Sequence, residues 1–155
     1  MKLSKNLSLA EVTKSATAKR QGIANEPNID QLERLKAVAE NIFQPIREEF
    51  MCPIFVSSGY RSEALNEAIG GSKTSQHSKG EALDLDADVY GVITNADIFN
   101  FVLDRLEFDQ LIWEFGTDEN PDWVHVSFKK EGRNRMQVLK AVRVNGKTKY
   151  LPYEG

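Results

Sequence analysis

The longest amphipathic pattern in the chain runs from Asn28 to Phe50. Its apolar residues recur at intervals of three and four, which is the spacing of one face of an α-helix. They are Leu32, Leu35, Val38, Ala39, Ile42, Phe43, Ile46 and Phe50. The pattern predicts a core helix over residues 28–50, which we expect to be kinked at Pro45.

Shorter helices are predicted from capping residues. Ser8 and Glu11 stand three positions apart, as do Thr94 and Asp97, and both pairs fit a capping box. Ser62 is a third candidate N-cap, ahead of a short apolar segment that ends in a Gly-Gly pair. We therefore expect helices to begin after Ser8, Ser62 and Thr94.

Strands are predicted where apolar and polar residues alternate. In ALDLDA, Leu83 and Leu85 face one side of a strand, while Asp84 and Asp86 face the other. IFVSS, QLIWEF and WVHVSF are further candidate strands. QVLKAVRV and KTKYLPY flank an Asn-Gly pair, which is typical of a two-residue hairpin turn.

The order of these elements predicts the fold class. Helices and strands are interspersed, and the strands are joined in ways that favour an α+β domain with a central antiparallel sheet flanked by helices. No repeat, low-complexity tract or linker divides the chain. We expect one domain over residues 1–155, with a core of about 28–130 and a C-terminal hairpin of about 137–153.

Composition excludes several classes of function. A net charge of −3 with dispersed Lys and Arg gives no basic field for nucleic acid. No apolar run reaches the length of a signal peptide or a membrane span, so we expect cytoplasmic synthesis and no membrane insertion. The single cysteine, Cys52, has no disulfide partner and is interpreted as a buried thiol.

The segment SQHSKGEALDLDAD, residues 75–88, contains one of only two histidines. One cysteine is too few for a closed thiolate-rich zinc site, which leaves the open type with three nitrogen or oxygen ligands. His77 and Asp84 are the candidate ligands here, and Gly80 lets the chain turn between them.

His125 is the second candidate. Alternation in WVHVSF places Val124 and Val126 on one face of a strand and His125 on the other, where a rigid element holds the ring as a ligand requires. The alternative interpretation is that either histidine alone is satisfied by ordinary hydrogen bonds and that the acidic run is a solvated face.

Three motifs, taken together with their order along the chain, resemble those of a known family. Ser75, His77, Gly80, Ala82 and Asp84 fit SxHxxGxAxD, SSGYRS lies upstream, and WVH supplies the later histidine. Together they resemble the zinc D-alanyl-D-alanine carboxypeptidase and L-alanyl-D-glutamate endopeptidase family, over about residues 8–130. The N-terminal region is similar to that of phage and prophage members. The resemblance implies a Hedgehog- or DD-peptidase-like fold.

The resemblance also implies a site. Zn2+ would be held by His77, Asp84 and His125, and Arg61 would bind substrate or stabilise the oxyanion. Candidate substrate-binding residues are Arg61, Ser75, Tyr60 and Trp123.

The catalytic acid of the family stands three residues before the last histidine and is often glutamate. Here that position is Asp122, with Glu114 as the alternative base. In a regular strand over 122–127, Asp122 would point away from His125, so its role requires that the turn at Pro121 relax the alternation.

The function implied is a zinc metallopeptidase, a carboxypeptidase or endopeptidase acting on peptidoglycan stem or cross-link peptides. We expect a monomer that acts on the cell wall after release, in phage lysis or wall processing. One alternative is a zinc-containing module of the same fold that binds the cell wall or a virion without cleavage. Another is a zinc amidohydrolase acting on a free dipeptide.

Overall fold

The computed structural model describes residues 1–155. The α-helices are α1 (Leu9–Thr13), α2 (Ala16–Gln21), α3 (Ile29–Val38), α4 (Gln44–Phe50), α5 (Glu63–Ala68), α6 (Gln76–Lys79) and α7 (Asn95–Arg105). The strands are β1 (Lys2–Ser4), β2 (Leu7–Ser8), β3 (Phe55–Ser58), β4 (Ala82–Asp86), β5 (Gln110–Glu114), β6 (Trp123–Ser127), β7 (Gln137–Val144) and β8 (Lys147–Pro152).

The long core helix is confirmed as α3 and α4 joined by a π-helical turn, Ala39–Phe43. It begins at Asn28, whose side chain accepts a hydrogen bond from the Gln31 backbone N–H. The irregularity expected at Pro45 lies just before that residue. Proline has no N–H to donate to the carbonyl four residues earlier, and a π-helical turn is one way for a helix to absorb this loss.

The capping predictions are confirmed. Ser8 and Thr94 each form a complete capping box, with Glu11 and Asp97 respectively, at the start of α1 and α7. Ser62 caps α5. Local hydrogen bonding therefore fixes where these helices begin.

The main sheet has the strand order β3-β4-β6-β5-β7-β8. Every pairing is antiparallel except that of β5 with β7, which is parallel. The expected α+β domain with a central sheet and flanking helices is confirmed, but the expectation of a wholly antiparallel sheet is wrong at this pair. The small β1-β2 sheet was not predicted.

The two faces of the sheet have different environments. Leu83, Leu85, Val124 and Val126 are buried on one face, in a single core shared with the long helix and α7. The opposite face carries the polar partners of the alternating pattern, including Asp84 and His125. Strand parity thus separates the core from the site.

The C-terminal hairpin is also confirmed. Asn145 and Gly146 have φ values of 53° and 76°, so both central residues of the turn are left-handed, as a type I′ turn requires. β8 is the exposed edge strand.

Candidate metal centre

The first two candidate ligands meet across neighbouring strands. Asp84 of β4 lies directly opposite His125 of β6 in the antiparallel register. Oδ1 of Asp84 is 3.0 Å from Nδ1 of His125. Because both residues sit inside regular strands, the distance is set by the sheet.

His77 approaches from above the sheet. It lies on the one-turn helix α6, where Ser75 Oγ accepts a hydrogen bond from its backbone N–H. Gly80 ends this helix at φ 79°, as its role in the turn predicted. Nε2 of His77 is 3.3 Å from Asp84 Oδ1, and the two imidazole rings are 5.2 Å apart between centroids.

This donor set fits a zinc ion. One donor atom from each of His77, Asp84 and His125 lies within 4.8 Å of the other two. Ligands of a tetrahedral zinc with bonds of about 2.1 Å stand about 3.4 Å apart, close to the two separations from Asp84 Oδ1. Two nitrogens and one oxygen leave a fourth position open, which is the pattern of catalytic zinc.

The remaining nitrogen of His77 is held by the backbone. Its Nδ1 donates a hydrogen bond to the carbonyl of Gly59, at 2.7 Å. The proton therefore resides on Nδ1, and the lone pair of Nε2 faces Asp84. Outer hydrogen bonds of this kind orient metal-binding imidazoles.

The tautomer of His125 is fixed by a chain of side chains. Gln76 Nε2 donates to the buried carboxylate of Asp109 at 3.0 Å, and Arg135 also donates to that carboxylate, at 2.7 Å. An ionised carboxylate only accepts hydrogen bonds, so the amide oxygen of Gln76 must face the other way. It accepts from Nε2 of His125 at 2.9 Å, which leaves Nδ1 free to bind a metal.

Two carboxyl groups in the site have shifted pKa values. Burial alone would raise the pKa of Asp84, but the imidazoles of His77 and His125 hold it well below its usual range. Burial raises the pKa of Glu114 from 4.5 to about 7; His125 opposes the shift and Asp84 adds to it. Glu114 is 6% exposed and lines the same cleft as the three donors.

The structure places Asp122 elsewhere. It lies in a bend that ends where β6 begins at Trp123, and its backbone N–H donates to the Glu114 carbonyl at 2.9 Å. Asp122 is exposed and does not line the cleft. Glu114 is two residues from Ile112 on β5 and therefore lies on the same face of the sheet, and Ile112 lies opposite His125.

Arg61 does line the cleft. Its Nη1 donates to Asn66 Oδ1 at 3.2 Å, while its Nε is buried without a partner. Burial lowers the pKa of the guanidinium, and the nearby Asp84 opposes that shift. An unpartnered buried donor in a cleft is a position where a ligand oxygen can bind.

The other predicted substrate-binding residues do not all lie in the cleft. Ser75 and Trp123 line the cleft. Tyr60 does not, because the residue is only 5% exposed and belongs to the hydrophobic core. We therefore do not retain Tyr60 as a substrate contact.

The cleft has a volume of about 600 Å³ and is walled on one side by residues that sequence reasoning missed. Leu139, Arg143, Thr148 and Tyr150 come from the β7-β8 hairpin. The hairpin itself was predicted, but its packing beside β5 depends on the parallel pairing, for which the sequence carries no local signal.

Fold and site together define an α+β domain in which His77, Asp84 and His125, at the floor of a cleft, could hold a metal ion. The sequence model of the peptidase M15 family matches residues 5–127, and the chain belongs to that family.

Among solved structures, the LdcB LD-carboxypeptidase, described in connection with peptidoglycan recognition, is similar with 17% identity and a TM-score of 0.37. The similar region covers 68% of this chain and 64% of that one. No curated protein sequence matched the chain. None of the helices has both the length and the apolar character needed to cross a bilayer.

Proposed function

We propose that the protein is a zinc-dependent peptidase that hydrolyses peptidoglycan stem or cross-link peptides. The observation that carries the proposal is the burial of Glu114 in the same cleft as the donor atoms of His77, Asp84 and His125. The substrate class rests on the resemblance of SxHxxGxAxD and WVH to wall carboxypeptidases and endopeptidases. A role in phage lysis or wall processing rests on the same resemblance.

Zinc bound at this site would supply Lewis acidity, which polarises the peptide carbonyl and activates water near neutral pH. Glu114 accepts a proton from the attacking water and returns it to the leaving amine. Burial raises the pKa of Glu114 in the metal-free protein to about 7, so the group takes up a proton more readily than an exposed carboxyl does.

Arg61 is proposed to bind the substrate. Its Nε has no protein partner, and the guanidinium lies near enough to Asp84 for that carboxylate to affect its pKa. A donor aimed at the developing oxyanion typically contributes about 3 kcal/mol to the transition state. The same group can instead hold a substrate carboxylate through paired hydrogen bonds.

A binding module without catalysis was the main alternative, because the expected glutamate is absent three residues before His125. The position of Glu114 supports hydrolysis instead. It offers a buried glutamate in the cleft from a neighbouring strand, so the aspartate at position 122 does not leave the site without a candidate base.

The test is incubation of the protein with purified peptidoglycan, followed by mass spectrometry of the released fragments. Zinc-loaded protein, chelated protein and the Glu114→Gln variant are compared. We expect peptide fragments from the zinc-loaded wild type alone, and their termini will identify the bond. Tight adsorption to the wall without any released fragment would reject hydrolysis in favour of the binding module.

A further inference from the structure

The C-terminal hairpin extends the floor of the cleft beyond Glu114. Glu114 of β5 pairs with Ala141 of β7, which pairs with Tyr150 of β8. Arg143 lies two residues beyond Ala141 and therefore on the same face of the sheet. The hairpin follows the part of the chain that matches the family model, residues 5–127. Its cleft-lining side chains are thus a feature that the family match does not cover.

Phe115 adopts an unusual backbone conformation at the edge of this surface. Its φ is 57°, a left-handed value that is rare for a bulky side chain and costs about 1 kcal/mol or more. In a continuing strand its ring would turn toward the core face, with Trp113. Here it lines the cleft and packs on Trp123, with ring centroids 5.4 Å apart.

The ring of Phe115 supports a cation. Cζ of Arg143 stands 4.5 Å from the ring centroid, within the range of a cation–π contact. Arg143 is exposed and takes part in none of the ion pairs of the molecule. This contact holds the guanidinium over the ring, and its N–H groups have no protein acceptor, so they can bind a carboxylate through two parallel hydrogen bonds.

The order of the strands places the metal centre between two guanidinium groups. Arg61 follows β3, the ligands lie on β4 and β6, Glu114 is on β5, and Arg143 is on β7. We propose that Arg143, stacked on Phe115, binds a carboxylate of the peptide substrate on the side of the metal centre away from Arg61. This inference rests on the proposed peptidase function and names a chemical feature of its substrate.

The spacing limits where that carboxylate can lie. Arg143 stands two strands from His125, about 10 Å across the sheet. It also lies four residues along β7 from Leu139, which is level with His125 through Ile112, so the displacement along the strands is about 13 Å and the two Cα atoms are about 16 Å apart. An extended peptide covers about 3.3 Å per residue, and the arginine side chain reaches back over Phe115, so the bound carboxylate is about three to five residues from the scissile bond. It can be the C-terminal carboxylate of the peptide or that of an internal acidic residue, and the experiment separates these sources.

The experiment measures peptide binding to zinc-loaded protein by calorimetry at constant ionic strength. The probes are a synthetic stem tetrapeptide of alanine, glutamate, lysine and alanine, its C-terminal amide, and its analogue with glutamine in place of glutamate. For the wild type, we expect removal of one of the two carboxylates to weaken binding about tenfold or more. The affected analogue identifies the source.

The Arg143→Met variant should bind the parent tetrapeptide as weakly as the wild type binds the affected analogue. It should also bind the parent tetrapeptide and that analogue with the same affinity. Arg143→Lys should recover part of the preference. Lys149→Met is the matched control, because Lys149 is an exposed cation on the same hairpin but its side chain has the opposite strand parity. Metal content and melting temperature should be unchanged in all three variants.

The inference would be overturned if Arg143→Met bound the parent peptide and the affected analogue with equally reduced affinity, or with the same affinities as the wild type. It would also be overturned if removal of either carboxylate left the affinity of the wild type unchanged. Hydrolysis of the same peptides is assayed separately. If Arg143 is needed for carboxylate-selective binding but no peptide is hydrolysed, the proposed peptidase function is refuted and the subsite stands. If the peptides are hydrolysed but Arg143→Met binds them as the wild type does, only the subsite is refuted.

Discussion

Asp84 and His125 face each other across two antiparallel strands, with 3.0 Å between Asp84 Oδ1 and His125 Nδ1. His77 reaches the same oxygen from α6, at 3.3 Å. The donors are therefore close to the spacing that one ion requires before any ion binds, because strand register and a capped helix hold them. Sites supported by regular elements in this way need little rearrangement on binding.

Zinc binding should follow from this arrangement. We expect the wild type to bind a single zinc ion and to be stabilised by about 2.7 kcal/mol when free zinc exceeds its dissociation constant a hundredfold. His77→Ala and His125→Ala should each lose this stabilisation, since two ligands hold zinc far less well than three. Denaturant unfolding with and without zinc measures the effect. Asp122→Asn serves as the control, and zinc-dependent stabilisation that persists in both histidine variants would exclude this ligand set.

Gln76 should affect metal affinity without touching the metal. Replacing it with methionine removes the acceptor that holds the proton on His125 Nε2, and losses of such outer partners typically weaken metal affinity 10- to 100-fold. Competition with a chromogenic chelator measures the affinity, and nitrogen NMR of the metal-free protein reports the tautomer of His125.

The matched control for that experiment is Gln137→Met. Gln137 lines the same cleft and bonds to Gln110 instead of a ligand. Equal metal affinities in wild type and Gln76→Met, with an unchanged tautomer, would show that Gln76 has no positioning role.

Glu114 should make the metal-free protein less stable as the pH rises. Its folded pKa of about 7 lies above the ordinary 4.5, so the folded state holds the proton more tightly than the unfolded state between these values. The contribution to stability is full below pH 4.5 and is lost as the pH rises through 7.

Glu114→Gln removes this titration. The variant should be more stable than wild type by up to about 3 kcal/mol above pH 7 and should lose that advantage near pH 4. Urea unfolding of both proteins across this range gives the difference. If the difference in unfolding free energy between the two proteins does not change with pH, Glu114 ionises in the folded protein as it does in the unfolded chain.

Gly80 should be more sensitive to substitution than other left-handed glycines. A Cβ at Gly80 would stand 2.7 Å from the carbonyl oxygen of Gln31, whereas at Gly91, with φ 70°, it would meet nothing within 4 Å. In both alanine variants the left-handed conformation lowers the free energy of unfolding by about 1 kcal/mol. We expect Gly80→Ala to destabilise the fold clearly more than Gly91→Ala does and to weaken zinc binding by displacing α6. Equal melting temperatures for the two variants would refute this.

Local patterns predicted the elements well. The alternation in ALDLDA and WVHVSF correctly assigned Leu83 and Val124 to the core and Asp84 and His125 to the other face. The capping boxes at Ser8 and Thr94 marked two helix starts. These signals depend on residues close together in the chain, and so they can be read without the fold.

What the sequence did not predict depends on pairing between distant segments. The parallel pairing of β5 with β7 brings Arg143 beside Phe115, and no local pattern encodes it. Glu114 was only the alternative base, because its closeness to His125 comes from the register of β5 against β6. Gln76 was overlooked because its partner Asp109 lies 33 residues away.

The central claim is that Glu114 is the catalytic base of a metal site built by His77, Asp84 and His125. Its most direct test is the turnover of a peptidoglycan peptide by zinc-loaded Glu114→Gln and Asp122→Asn, with bound zinc measured in each sample. We expect Glu114→Gln to retain zinc and lose about 10²- to 10⁴-fold in kcat, and Asp122→Asn to retain both zinc and wild-type turnover. Near-normal turnover in Glu114→Gln together with an inactive, zinc-loaded Asp122→Asn would contradict the account.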